Sequence, residues 1–167
     1  MDLHTWLAFV AASCVIAISP GSGAVLAMSH GLSYGVRRTS VTILGLQLGL
    51  LLLLLVAGAG VGSLLLASEA AFNTVKVLGA CYLIYIGWSQ WRAGTGNALQ
   101  GGAVAPAGPW QRRFATGFLT NATNPKGIVF MVAVLPQFMT DTRPLWMQLL
   151  VMAATSLVID LTVMHGY

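Results

Sequence analysis

The chain has 167 residues, 57% of them hydrophobic and only 7% charged, with a formal net charge of +4. Soluble domains carry roughly 25% charged residues, so this sequence cannot cover a water-facing surface and is expected to be an integral membrane protein. The basic balance does not point to nucleic acid, because the arginines fall in short loops with no basic face or aromatic platform for bases.

Residues 5–28 read as a first span, interrupted by Ser19-Pro20-Gly21. The segment before it, Met1-Asp2-Leu3-His4, has no Lys or Arg, and the apolar stretch exceeds the roughly 7–15 residues of a signal peptide, so the span is expected to be retained. A short polar turn is predicted over 30–38. The second span, 40–66, carries a leucine run at 50–55 and the pairs Gly45/Gly49 and Gly58/Gly62, whose spacing lets a neighbouring helix approach closely. A tight polar link at 67–70 leads to a third span, 72–91, with Tyr82, Tyr85, Trp88 and Trp91 toward its end; the two tryptophans suit an interfacial belt. Residues 92–113, rich in Gly, Ala and Pro and lacking periodicity, read as a cytoplasmic linker. The fourth span, 114–139, is broken at Thr120-Asn121-Ala122-Thr123-Asn124-Pro125-Lys126, and the fifth covers 145–165.

Proline removes a backbone N–H and clashes with the preceding turn, so each break frees carbonyls that lipid cannot satisfy. Matched interruptions in two halves point to a transporter's binding site. The prolines Pro20 and Pro125 fall in spans one and four, an odd offset of spans, so a repeat of the first three must re-enter the membrane inverted. The expectation is an all-α polytopic transmembrane helix bundle of inverted three-span repeats, with helices one and four broken. Residues 1–91 form the first repeat and 114–167 an incomplete second one, so five spans of an expected six are present. Arg37, Arg38, Arg92, Arg112 and Arg113 fall on one side and only Lys76 and Arg143 on the other. By the bias of Lys and Arg towards the cytoplasm, the N-terminus faces away from it.

Lys126 and Asp160 are the ionisable residues expected at membrane depth, where a charge normally pairs or faces a water-filled cavity. Lys126 either stabilises freed carbonyls of its own break or contacts an anionic substrate group or Asp160. Asp160, the one carboxylate inside a span, is either the proton carrier or an interfacial acid without a transport role. Glu69 and Asp141 read as solvated loop charges. Half-helix N-termini suit a carboxylate and freed carbonyls suit an ammonium. Ser19, Ser22, Thr120, Asn121 and Asn124 add neutral donors and acceptors, so two breaks meeting at the midplane could take a zwitterionic amino acid. Gln47 lines the path or makes an interhelical hydrogen bond. Cys14 and Cys81 lack CxxC spacing, and His4, His30 and His165 are isolated, so no metal site or other cofactor is expected. No nucleotide-binding motif and no nucleophile–base pair stands out, so transport would be secondary and the chain not an enzyme.

Several separated motifs together resemble the lysine-exporter (LysE) superfamily, most nearly its homoserine/threonine-exporter (RhtB-type) branch. They are Ile18-Ser19-Pro20-Gly21-Ser22, the turn Gly31-Leu32-Ser33-Tyr34-Gly35-Val36-Arg37-Arg38, the stretch Val75-Lys76-Val77-Leu78-Gly79-Ala80-Cys81-Tyr82-Leu83-Ile84-Tyr85-Ile86-Gly87, and Phe114-Ala115-Thr116-Gly117-Phe118-Leu119-Thr120-Asn121-Ala122-Thr123-Asn124-Pro125-Lys126. The resemblance implies a multi-pass exporter of the bacterial inner membrane, exchanging amino acids or their derivatives for protons. It places the family's Pro-Gly element on Pro20 and Gly21, its Asn-Pro-Lys element on Asn124, Pro125 and Lys126, and its span-five aspartate on Asp160. The chain departs from the pattern at Ser22, where a second proline is usual, and in lacking a sixth span. Substrate-binding candidates are thus Ser19, Pro20, Gly21, Ser22, Thr120, Asn121, Asn124, Pro125 and Lys126, with Asp160 for proton coupling. The partners implied are a small amino acid, protons, the lipid bilayer and, as a cover for the open face, a second copy of the chain. The alternatives are a truncated or non-transporting assembly partner, or an exporter of another small solute.

Overall fold

The computed structural model describes residues 1–67, 69–93, 108–140 and 142–167, and its regular structure is entirely helical. The helix α1 (Leu3–Ile18) is started by Asp2, whose carboxylate accepts the Thr5 N–H at 2.7 Å. That bond holds the Asp2 carboxyl below its ordinary range. The helix stops at Ser19 because Pro20 offers no N–H to continue the ladder. After Gly21 the chain resumes as α2 (Ser22–Tyr34), bent 54° from α1. Only Gly35 separates α2 from α3 (Val36–Ala67), and its φ of +76° is open to glycine but strained for other residues. The polar turn predicted over 30–38 is therefore helical on both sides of one residue. Its polar side chains are carried on helix surfaces, as with His30, whose Nδ1 lies 2.7 Å from Thr42 Oγ1. Polarity there marked the end of an apolar stretch rather than a break in the backbone ladder.

The remaining helices are α4 (Glu69–Ala93), α5 (Trp110–Ala122), α6 (Pro125–Val129) and α7 (Leu145–Gly166), with a π turn (Phe130–Val134) and a 3₁₀ turn (Leu135–Phe138) following α6. Of the five expected spans, α3 as far as Gly60 and α7 are each long and apolar enough to cross a bilayer alone, and α1 with α2 passes as one bent span. The third expected span falls within α4, and in the fourth the apolar stretch after the break is Pro125–Phe138. The fourth expected span is thus a succession of short pieces, because the proline break is followed by changes of helical winding at 130–138. Expectations placed on the 94–107 stretch of the linker, on Ser68 and Asp141, on the packing at Gly62, and on the side chains of Glu69 and Trp91 fall outside the described residues.

The most extensive packing joins α3 to α5. A Cβ on Gly45 would overlap the Phe114 carbonyl oxygen, and one on Gly117 would overlap that of Thr42. The two backbones touch directly, as the Gly45/Gly49 spacing predicted. Contacts fix relative directions. Trp6 Nε1 donates to Thr155 Oγ1 at 3.1 Å and Tyr167 Oη to the Ile18 carbonyl at 2.5 Å, so positions on α1 and α7 advance together and the helices run parallel. Ser40 meets His165 and Gln47 meets Asp160, so α3 runs against α7. Leu44, Leu48, Leu52 and Leu55 form an exposed stripe on α3, the face that a membrane helix gives to lipid.

Two apolar clusters form the core. One gathers Phe9, Leu54, Phe130, Met131, Leu135 and Met152, with Phe9 packed edge-to-face on Phe138 at 5.3 Å. The other gathers Ala27, Ile43 and Leu46. Along α1–α2, α3 and α7, the residues between these clusters are the ones that build the site.

Candidate functional site at the meeting of the two breaks

The second break supplies its own caps. Asn124 is extended and its Oδ1 accepts the Lys126 N–H at 3.1 Å, while Pro125 occupies the first helical position of α6, where no N–H is needed. Thr123 Oγ1 bonds back to the Leu119 carbonyl at 2.7 Å. This local geometry directs Lys126 inward, and its side chain is buried.

The Lys126 ammonium reaches the other break. Nζ donates to the Ile16 carbonyl at 2.8 Å and to the Ser19 carbonyl. These oxygens lie in the last turn of α1 and at its cap, where the helix dipole is negative and carbonyls lack intrahelical partners. Sequence reasoning offered the freed carbonyls of the lysine's own break, a substrate or Asp160 as its partner. The structure instead gives it the carbonyls of the first break, and among the described residues Lys126 and Asp160 form no direct ion pair. Gly21 sits against this arrangement: a Cβ there would lie 3.5 Å from Lys126 Cδ and 3.9 Å from Asn124 Nδ2.

Asp160, on α7, accepts a hydrogen bond from Gln47 Nε2 on α3 at 2.6 Å. Gln47 is buried, and its Oε1 has no partner. Of the two roles open to Gln47, the interhelical bond is the one seen, and it holds the carboxylate that the cavity needs. On α5, Asn121 Nδ2 donates to the Leu46 carbonyl at 2.7 Å, fixing the end of α5 against α3.

These groups surround a cavity of about 80 Å³, room for several waters or the polar end of a small solute. Of the residues picked out from sequence, Ser19, Gly21, Asn121, Asn124, Lys126 and Asp160 line it. Pro20, Ser22, Thr120 and Pro125 do not; the prolines shape the breaks, Ser22 is exposed and Thr120 half-buried. Sequence reasoning missed Ser13 and Ser156, which are buried in the cavity wall. A hydroxyl inside an otherwise apolar run was the available signal. With one fixed cation and one carboxylate, the wall is close to electrically neutral overall, and it presents donors and acceptors on opposite partners. Among the described residues no group of three His, Cys, Asp or Glu could hold a metal ion.

A family model described as LysE type translocator matches residues 14–167. An uncharacterized membrane protein of Vibrio cholerae is 40% identical over the whole chain, which covers 80% of that relative. A homoserine/homoserine lactone efflux protein of Salmonella typhi is 38% identical, again over the whole chain and 80% of the relative. A leucine efflux protein of Salmonella choleraesuis is 29% identical over 85% of this chain and 66% of its own length. No solved structure matches.

Proposed function

Because the chain belongs to the LysE-type translocator family, we propose that it exports small amino acids or their derivatives, homoserine-like compounds first, by exchange for protons across the bacterial inner membrane. The observation that carries this reading is the cavity where the two breaks meet, walled by Lys126 and Asp160 and set between two apolar clusters. An amino acid brings a cation and an anion a few ångströms apart, and a wall holding one of each can take both without leaving a net buried charge. Two of the three Lys126 ammonium donors go to α1 carbonyls, which leaves one for a substrate carboxylate. Asp160 is the acceptor for the substrate ammonium and for the counter-transported proton, so that the two compete for one carboxylate and exchange follows. Gln47 keeps that carboxylate facing the cavity.

The periplasmic N-terminus and the inverted relation of 1–91 to 114–167 belong to the same proposal. The inverted relation is supported by the direction of packing, since α1 runs parallel to α7 and opposite to α3, and the periplasmic N-terminus by the bias of Lys and Arg towards the opposite side.

The test is accumulation of labelled homoserine and leucine by inside-out membrane vesicles carrying the full chain, with and without an imposed proton gradient. The proposal expects gradient-dependent homoserine accumulation that Asp160→Asn abolishes at matched protein level. Accumulation of neither amino acid by the wild type overturns export. Accumulation indifferent to the gradient and to Asp160→Asn overturns proton exchange alone.

A further inference from the structure

Hydroxyls inside these helices usually bond back to a carbonyl one turn earlier. Thr39, Ser40, Thr74, Thr116 and Thr162 all do so, at 2.7–3.2 Å. Ser13 and Ser156 do not. Each is more than nine-tenths buried, at 4% and 6% exposure, each lines the central cavity, and neither Oγ has a hydrogen-bond partner. A buried hydroxyl left unpaired is unfavourable, and two of them in residues that line one cavity mark a place where something polar completes the wall.

Their position says what. Ser13 lies three residues before Ile16, whose carbonyl holds Lys126, and Ser156 lies four residues before Asp160. Residues at these spacings share a helix face and are one turn apart, roughly 5.4 Å along the axis. Since α1 and α7 run parallel, both serines are displaced from the charged groups in the same direction, toward the helix N-termini. The cavity thus has a charged level, at Lys126 and Asp160, and a hydroxyl level one turn away.

We propose that Ser13 and Ser156 form the side-chain subsite of the transported amino acid and select a polar, uncharged end group carried about two methylenes from the α-carbon, such as a γ-hydroxyl. This rests on the amino-acid export reading above. With the α-ammonium and α-carboxylate at the charged level, a chain of two methylenes and a hydroxyl covers about one turn. The two serines then donate to and accept from the same oxygen. An aliphatic substrate of equal size leaves both hydroxyls unpaired in a dry wall, so discrimination comes from the cost to the protein as much as from the gain to the ligand.

Norvaline is the control, because it replaces the terminal hydroxyl of homoserine by a methyl at nearly the same size. The experiment measures competing uptake of labelled homoserine and norvaline into inside-out vesicles, for the wild type and for Ser13→Ala and Ser156→Ala. Alanine suits a helix interior better than serine, so both variants keep the fold, which a melting curve checks. The expected result is a wild-type preference for homoserine and a fall of roughly tenfold in the homoserine-to-norvaline ratio in each variant, the scale of one buried uncharged hydrogen bond. A ratio unchanged in both variants overturns the subsite, including the case where both rates fall together as for a packing residue. Wild type that moves both amino acids without preferring homoserine overturns the subsite and leaves export standing. Wild type that moves neither overturns export and the subsite with it.

Discussion

The two proline breaks solve the same problem in opposite ways. The second is self-sufficient: Asn124 caps α6, Pro125 needs no donor, and Thr123 satisfies a carbonyl of α5. The first has no side-chain cap on α2 and leaves the Ile16 and Ser19 carbonyls to a donor more than a hundred positions away in the chain. Lys126 therefore links a completed break to an incomplete one. A cation in a low-dielectric interior is costly unless it is hydrogen-bonded, and the end of α1 takes two of its three donors. The difference explains why a lysine persists buried in the helix bundle without a carboxylate bound to it, and it leaves Asp160 uncommitted to an ion pair.

Removing the link is expected to have the largest effect. Lys126→Ala removes two hydrogen bonds at the end of α1, costs about 3 kcal/mol on the scale of charge-assisted hydrogen bonds, and lowers homoserine transport at least 100-fold in the vesicle assay. Thermal unfolding in detergent reads the first quantity. Gly45→Val displaces α5, which carries the second break, because its Cβ would overlap the Phe114 carbonyl oxygen. A cost of about 2 kcal/mol is expected, within the range for overpacking, together with a weaker transport defect than that of Lys126→Ala. Asn124→Ala removes the N-cap of α6 and is expected to cost about 1 kcal/mol, with transport down severalfold as Lys126 loses its fixed direction. Gly21→Ala is expected to change least. Its Cβ meets Lys126 and Asn124 only at ordinary contact distances, so stability should stay within about 0.5 kcal/mol of wild type. If Gly21→Ala harms transport as much as Asn124→Ala, the first break is a moving part rather than the passive acceptor described.

Much of this was legible in the sequence, in the places where local chemistry decides. Asn124-Pro125 announces a helix start, Ser19-Pro20-Gly21 a helix end, and the Gly45/Gly49 pair a close backbone approach. Lys126 and Asp160 stood out because charges are scarce in apolar stretches. What escaped depended on tertiary neighbours. The partner of Lys126 was sought in its own break, in a substrate or in Asp160, whereas the incomplete helix end that it meets belongs to another element. Ser13 and Ser156 gained meaning only when the fold placed them on one cavity without partners, since most serines in helices are satisfied by their own backbone. The 30–38 stretch looked like a loop because its side chains are polar, yet a helix can leave an apolar environment without unwinding, and only Gly35 interrupts it.

The central claim is that the junction of the two breaks binds the amino acid, and ligand-dependent stability tests it without needing a gradient. A ligand at about 100 times its Kd stabilises the folded state by about 2.7 kcal/mol. Thermal unfolding of the purified protein should therefore shift upward with homoserine in the wild type. The shift should be absent in Asp160→Asn, and in Lys126→Ala compared with its own ligand-free melt. An equal shift in the wild type and both variants would place the binding site elsewhere and contradict the account.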